Sequence, residues 1–121
     1  MMIYEKLEKG TFNEMNIVEY SMKNKNLEVR FLNLGGVLTK IAMADDNYEQ
    51  NLILNYQDIE SYFNNGCYLN SIIGRTSNRI KNGQFTINNK TYQLDLNNGP
   101  NNLHGGSQCF TYANFEVTEN E

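Results

Sequence analysis

Short stretches of alternating apolar and polar residues, separated by turns, recur along much of the chain. In residues 27–31 the two kinds of side chain alternate as they do in a half-buried β-strand. A Gly35-Gly36 pair then leads into a second apolar stretch, residues 37–43. The pattern predicts a β-hairpin across residues 27–43.

A second hairpin is predicted around Asn88-Asn89, between residues 84–87 and 90–96. Asparagine tolerates the left-handed backbone conformation that tight hairpin turns require. In residues 90–96 the even positions from 92 onward are apolar, and the positions between them are polar. The second arm is therefore predicted to be a strand with one apolar face.

Residues 17–22, 51–54 and 113–118 are shorter candidates of the same kind, and turn residues separate them. Residues 57–64 are the one segment that indicates a helix, of at most about two turns. Asparagine is unusually frequent, with 21 residues, and most of these lie between the apolar stretches. Many short strands joined by turns are typical of an all-β fold. We expect one domain over residues 1–121, an antiparallel β-sandwich.

Two features predict that this sandwich domain is incomplete. Apolar residues make up 40% of the chain, below the roughly 45–50% that is usual for globular domains. The strand predicted at 113–118 has no following segment with which it could pair. Because an unpaired edge strand exposes backbone groups and invites association, a homo-oligomer formed through this strand is one expectation.

The charge pattern excludes several classes of partner. The net charge is −4, from ten Lys and Arg against fourteen Asp and Glu, and no basic cluster is present that would neutralise phosphates, so nucleic acid is not expected. The first ten residues include Glu5, Lys6, Glu8 and Lys9, unlike a secretory signal. No apolar run approaches the roughly 20 residues of a membrane span. We therefore expect a cytoplasmic protein without a membrane partner.

Cysteine and histidine are too few and too scattered to predict a metal site. Cys67 and Cys109 have no second Cys or His at metal-ligand spacing, and His104 is the only histidine. A closed zinc site is therefore not expected. Both thiols are expected to be free and buried, as small apolar side chains are.

Two polar, glycine-containing segments, residues 74–80 and 97–106, interrupt the strand pattern on either side of the second hairpin. Binding residues tend to lie on such loops, so the two segments are expected to meet in one cleft. Taken singly, each signal has an alternative interpretation. Arg79 is also compatible with a surface guanidinium, and His104 with a turn residue whose ring has a hydrogen-bond partner.

Four short motifs follow one another in these segments and in the hairpin between them. They are Gly-Arg-Thr-Ser-Asn-Arg-Ile at 74–80, Gly-Gln-Phe at 83–85, Tyr-Gln-Leu at 92–94 and Asn-Asn-Leu-His-Gly-Gly at 101–106. In order and spacing they resemble the N-terminal signature of aldose 1-epimerases. Asn-Leu-Gly-Gly at 33–36 is similar to a further turn of that family. The resemblance runs from about residue 31 to residue 117.

The resemblance implies the N-terminal portion of a longer β-sandwich enzyme, a mutarotase, which interconverts the α and β anomers of free sugars such as galactose and glucose without a cofactor. In the implied mechanism a carboxylate removes the proton of the anomeric hydroxyl while an imidazolium protonates the ring oxygen. The ring opens to an aldehyde, the C1–C2 bond rotates, and reclosure gives the other anomer.

Matched residue by residue, the resemblance implies that Asn78 and Arg79 bind sugar hydroxyls, for which a guanidinium offers a fixed fork of donors. It implies that His104 orients the substrate near the ring oxygen and stabilises charge there. The family's second histidine, its aspartate and its carboxylate base lie beyond the matched region. The chain alone is therefore expected to bind sugar weakly and to be inactive.

Five other residues near the motifs have less specific interpretations. Tyr68, Phe110 and Tyr112 serve either as a platform for the apolar face of a sugar or as core packing. Asp95 and Glu116 are interpreted as solvated residues on exposed strand faces rather than as the catalytic base.

Two further functions are compatible with the sequence. One is a non-catalytic sugar-binding module that keeps the binding half of the cleft. The other is a structural dimer that associates through residues 113–118 and has no sugar function. The preferred sugar does not follow from the sequence, because several loops would determine it.

Overall fold

The computed structural model describes residues 2–45 and 48–119, and its largest element is a five-stranded antiparallel β-sheet. The strands are β1 (Ile3–Phe12), β2 (Met15–Lys23), β3 (Leu27–Leu32), β4 (Leu38–Asp45) and β5 (Tyr48–Asn51). Each strand pairs with the next one along the chain, so the sheet is a simple meander.

Two short ribbons follow the sheet, built from β6 (Arg79–Ile80), β7 (Gln84–Ile87), β8 (Lys90–Gln93) and β9 (Asn102–Leu103). Strand β6 pairs with β9, and β7 pairs with β8. Short 3₁₀ segments lie at Ile59–Asn64, Lys81–Gly83 and Phe110–Tyr112. The predicted all-β, antiparallel class is confirmed. No helix within the described ranges is long and apolar enough to cross a membrane.

The predicted first hairpin is confirmed as β3 and β4. Gly35 and Gly36 have φ angles of +63° and +56° between these strands, a left-handed conformation that glycine adopts without steric cost. Strand β2 confirms the prediction for residues 17–22, and the 3₁₀ segment Ile59–Asn64 confirms the short helical piece.

The second hairpin is confirmed in part. Asn88 and Asn89 both have positive φ angles, +50° and +60°, as a two-residue type I′ turn requires. Strand β8 ends at Gln93, however, because Gly83 on the partner side has a φ of +57° and leaves the extended conformation. Residues 94–96 therefore lie outside the strand. Asp95 is exposed, but its predicted position on a strand face is wrong.

Strand β1 was not predicted from the sequence. It pairs with β2 along its length, with a bulge between Glu8 and Gly10. Charged residues such as Lys6 and Lys9 interrupt its apolar pattern. An edge strand buries little of its surface, so it needs no regular alternation of apolar and polar residues.

The strand predicted at residues 51–54 is mostly wrong, since β5 ends at Asn51. The Asn51 side-chain amide donates to the Ile53 carbonyl at 3.0 Å and to Asn55 Oδ1 at 2.7 Å. Such local side-chain bonds compete with a β-ladder. Leu52 and Leu54 are consequently exposed.

The strand predicted at residues 113–118 is also wrong. Asn114 forms a single bridge with Leu34, and the Phe115 N–H donates to the Asn33 carbonyl at 2.9 Å. The left-handed Gly35-Gly36 turn beside this bridge leaves no extended partner along which pairing could continue. Self-association through residues 113–118 stays a prediction.

The predicted burial of the two cysteines is confirmed for Cys109 and wrong for Cys67, which is exposed. Cys67 lies in a turn closed by a hydrogen bond from the Tyr68 N–H to the Asn65 carbonyl, 2.9 Å long. A side chain in such a surface turn has no apolar surroundings in which to be buried.

The apolar core is small and lies at the end of the sheet next to the 3₁₀ segment Ile59–Asn64. Its buried residues are Ile17, Leu32, Leu34, Val37 and Tyr62. The Tyr62 hydroxyl accepts a hydrogen bond from the Tyr56 N–H at 3.1 Å. The aromatic ring thus fills the core while its polar end is satisfied.

The sheet face that contributes Leu32 to the core also carries ion pairs. Glu28 on β3 is buried, at 4% exposure, and accepts hydrogen bonds from Arg30 and Lys40. Glu19 on β2 is paired with Lys9 at 3.0 Å and accepts a hydrogen bond from the Thr39 hydroxyl at 2.6 Å. Burial opposes ionisation of Glu28, but the two cations outweigh it and lower the pKa of that carboxyl.

We predict that Glu28→Gln lowers the free energy of unfolding at pH 7 by about 2 kcal/mol, because Arg30 and Lys40 lose a charged acceptor while keeping part of their hydration. A folded-state pKa below the ordinary 4.5 means that the carboxylate stabilises the fold above that pH and loses this effect as the pH falls through the folded value. The difference between wild type and variant should therefore shrink in acid. Urea unfolding at several pH values measures it.

The exposed Glu60 offers a matched control, and Glu60→Gln should leave the unfolding curve unchanged. Equal effects of the two substitutions at pH 7 would contradict the structural role given to Glu28.

Candidate functional site

The ribbon of β6 and β9 brings together the two polar segments that the sequence singled out. Arg79 pairs with Leu103, and Ile80 pairs with Asn102. Strands β7 and β8, which lie between these segments in the sequence, pair with each other. Residues 74–80 and 97–106 therefore lie side by side, and a cleft between them stays a prediction.

Asn78 and His104 bind each other through two hydrogen bonds just beyond this ribbon. The His104 N–H donates to the Asn78 carbonyl at 3.0 Å, and the Asn78 N–H donates to His104 Nδ1 at 2.9 Å. Both residues have left-handed φ angles, +62° and +55°, a conformation in which Asn and His are enriched among non-glycine residues. The imidazole is thus oriented by the backbone of the opposite segment.

This geometry determines which ring nitrogen carries the proton. Because Nδ1 accepts a hydrogen bond from a backbone N–H, it holds a lone pair and no proton, so the neutral ring is protonated on Nε2. Within residues 2–45 and 48–119, Nε2 has no hydrogen-bond partner. The half-buried imidazole therefore presents a free N–H donor. The sequence also allowed His104 to be a turn residue whose ring has a hydrogen-bond partner. That interpretation is correct for Nδ1, which has a partner, and incorrect for Nε2.

Arg79 is exposed, and its guanidinium is oriented by two asparagines. Its Nε donates to Asn98 Oδ1 at 2.9 Å, and its Nη1 lies 3.5 Å from Asn78 Oδ1. Asn98 was not singled out from the sequence. The sequence feature that could have identified Asn98 is its position in an asparagine-rich stretch. In the structure it forms a tight turn with Asn101 through two backbone hydrogen bonds of 3.1 Å.

Gly105 and Gly106 allow the segment after His104 to pack against its neighbours. A Cβ atom on Gly105 would lie 2.2 Å from the Gly74 carbonyl oxygen, and one on Gly106 would lie 2.1 Å from Asp95 Oδ1. Their φ angles are +93° and +95°. A side chain at either position would therefore force this segment or its neighbours to shift.

Of the three aromatic candidates, Tyr68 contacts the site directly. Its ring meets the His104 ring edge-on, with centroids 4.8 Å apart. Burial raises the pKa of the Tyr68 hydroxyl, so that hydroxyl stays protonated at neutral pH. Phe110 instead packs against Phe115, with ring centroids 5.8 Å apart, and the Arg75 guanidinium lies over the Phe110 ring, 5.3 Å from its centroid. Tyr112 is half-buried.

Within the described residues, no Asp or Glu side chain is hydrogen-bonded to Asn78, Arg79 or His104, so no catalytic carboxylate is identified beside them. Glu116 is exposed in the irregular segment after Phe110–Tyr112. No group of three or more His, Cys, Asp or Glu side chains that could hold a metal ion occurs among residues 2–45 and 48–119. The site is thus built from amides, one guanidinium and one imidazole, groups that bind polar ligands through hydrogen bonds.

Comparisons with known proteins agree on one family. The sequence model described as aldose 1-epimerase matches residues 18–121. A maltose epimerase from Levilactobacillus brevis is 33% identical over 113 residues, which cover 93% of this chain and 33% of that protein. A galactose mutarotase from Bos taurus is 32% identical over 95 residues, which cover 78% of this chain and 28% of that protein.

A solved structure leads to the same conclusion. The galactose 1-epimerase from Lactobacillus acidophilus NCFM superposes with a TM-score of 0.82 at 25% identity, over 94% of this chain and 33% of that one. The chain spans about a third of the length of these relatives. The match over residues 18–121 confirms the resemblance carried by the four motifs, and the chain belongs to the aldose 1-epimerase family.

Proposed function

We propose that the chain forms the sugar-binding part of an aldose 1-epimerase that interconverts the α and β anomers of a free hexose such as galactose or glucose. The observation that carries this proposal is the pairing of Asn78 with His104, beside Arg79. The names of the relatives, a maltose epimerase and a galactose mutarotase, support a reducing sugar as the ligand.

Arg79 and Asn78 would bind adjacent sugar hydroxyls. Asn98 holds the guanidinium through Nε, which leaves the Nη groups to donate to two neighbouring oxygens. A planar fork held in one orientation loses little conformational freedom when a ligand binds. These two residues would therefore fix the position of the sugar ring.

His104 would donate a hydrogen bond from Nε2 to the ring oxygen. Negative charge develops on that oxygen as the ring opens, and a donor aimed at it stabilises the transition state. Because Nδ1 is engaged by Asn78, we assign His104 the role of hydrogen-bond donor. The base that takes the proton of the anomeric hydroxyl and the acid that protonates the ring oxygen are assigned to other residues.

The proposed chemistry consists of proton transfers and needs no cofactor. A free monosaccharide is the proposed partner, and nucleic acid and membrane have no part in the proposal. The cytoplasm is its proposed location.

A non-catalytic sugar-binding module is the second candidate. It is favoured by one observation, that His104 Nδ1 accepts a hydrogen bond from the Asn78 N–H, so this imidazole is a hydrogen-bond donor at the site and not the imidazolium acid of the implied mechanism. The two candidates share the binding residues and differ in turnover, which a rate measurement separates.

We predict that the chain binds galactose without accelerating mutarotation, because the acid and the base are missing from the site. Polarimetry of freshly dissolved α-galactose with the chain added measures turnover, and saturation-transfer spectra measure binding. Acceleration that is lost in His104→Ala would show instead that the chain carries a complete catalytic set. No saturation transfer to galactose or glucose would sink the proposed function.

We further predict that Arg79→Lys weakens galactose binding by about 10- to 100-fold, the loss expected when hydrogen bonds from a charged fork are removed. The positive charge is retained, so the change isolates the geometry of the donors. Lys81→Ala is the matched control, since it removes an exposed cation two residues away. Similar affinities for Arg79→Lys and wild type in a saturation-transfer titration would contradict the role given to Arg79.

A further inference from the structure

The segment that carries His104 is tied at both ends by side chains from residues 95–97. We call residues 102–107 the histidine loop. At its start, the Leu103 N–H donates to Asn97 Oδ1 at 2.7 Å, and Asn97 Nδ2 donates to the Leu103 carbonyl at 2.9 Å. One carboxamide thus satisfies both backbone groups of the residue immediately before His104.

The other end of the histidine loop is tied by the carboxylate of Asp95. The Ser107 N–H donates to Asp95 Oδ2 at 2.7 Å. Asn102 Nδ2 donates to Asp95 Oδ1 at 3.1 Å and to the Asp95 carbonyl at 2.9 Å. Asn102 is buried, at 1% exposure. The carboxylate therefore joins the first and last residues of the loop, and Gly106 lies against it.

The two contacts favour the ionised form of Asp95. Each carboxylate oxygen accepts a hydrogen bond, whereas the hydroxyl oxygen of a protonated carboxyl is a weaker acceptor. The hydrogen bond from the Ser107 N–H is the main cause that lowers the pKa of Asp95. Bonds to a charged acceptor are also stronger than bonds between neutral groups.

We propose that Asp95 and Asn97 are positioning residues for His104, which hold the histidine loop so that Nδ1 meets the Asn78 N–H and Nε2–H remains the free donor. Only one part of the inference rests on the proposed function, namely that a sugar accepts the hydrogen bond from this donor. The positioning itself concerns the ring and is measurable without any ligand.

A single histidine makes the ring directly observable. Because His104 is the only one in the chain, long-range ¹H–¹⁵N correlation spectra of the labelled protein show one imidazole. In the wild type, at mildly alkaline pH, we expect a neutral ring with the proton fixed on Nε2. A ring released from Asn78 would exchange between both tautomers and lose that pattern.

The decisive variant is Asp95→Asn, which keeps the shape of the side chain. A carboxamide has one acceptor atom and one donor atom, so it cannot accept hydrogen bonds from both Ser107 and Asn102 at the two positions that the carboxylate oxygens occupy. We expect the Nε2–H pattern to give way to mixed tautomers, and galactose affinity to fall about tenfold, the loss of one hydrogen bond. The far-UV spectrum and the cooperative unfolding transition should be retained.

Asp58→Asn is the matched control. Asp58 precedes the 3₁₀ segment Ile59–Asn64 and makes no capping hydrogen bond there. This variant undergoes the same chemical change away from the histidine loop, and it should keep both the wild-type tautomer and the wild-type affinity.

A wild-type ring tautomer and wild-type affinity in folded Asp95→Asn would overturn the inference. If that variant does not fold, Asn97→Asp decides, since it keeps the acceptor for the Leu103 N–H and loses the donor to the Leu103 carbonyl. An unchanged tautomer in Asn97→Asp would then overturn the inference. Failure of the wild type to bind galactose would remove the proposed function, while the tautomer comparison would still decide the positioning.

Discussion

The site depends on the two hydrogen bonds between Asn78 and His104. One of them ends on the imidazole itself, so the orientation of a side chain is fixed by the backbone of a segment 26 residues away. Both residues must adopt left-handed conformations for these bonds to form. Ring orientation, loop conformation and the β6–β9 ribbon are therefore one coupled arrangement, in which a change in any part reaches the other two.

This coupling has a chemical consequence for the imidazole. With Nδ1 engaged, the neutral form of the ring donates through Nε2. Arg79, which follows Asn78 in the opposite segment, contributes an exposed guanidinium. A neutral donor beside a permanent cation avoids like-charge repulsion, and both groups can then face oxygens of the same ligand. Imidazole, guanidinium and carboxamide groups all bind oxygen atoms of a ligand through N–H donors.

The features that depend on short-range sequence patterns were the ones that could be predicted. The Gly35-Gly36 and Asn88-Asn89 turns lie where positive φ angles are needed, and the four motifs identified Asn78, Arg79 and His104. Strand β1 pairs with the next strand along the chain, but it lacks the regular alternation from which a strand is predicted. The irregular course of residues 113–118 depends on contacts with Asn33 and Leu34, far earlier in the sequence, which local alternation does not encode. For the same reason Asp95 was interpreted as a solvated residue, because its role depends on Ser107, 12 positions later in the sequence.

The abundance of asparagine explains how a chain with a small core fixes its loops. Asn65 is fully buried and binds both backbone groups of Leu69, each at 2.8 Å, which is the same two-point contact that Asn97 makes with Leu103. Each such hydrogen bond contributes about 1 kcal/mol, and an apolar side chain would not specify the backbone direction. Carboxamide contacts thus provide the loop geometry that apolar burial alone would leave undetermined, and the histidine loop is where that geometry bears on function.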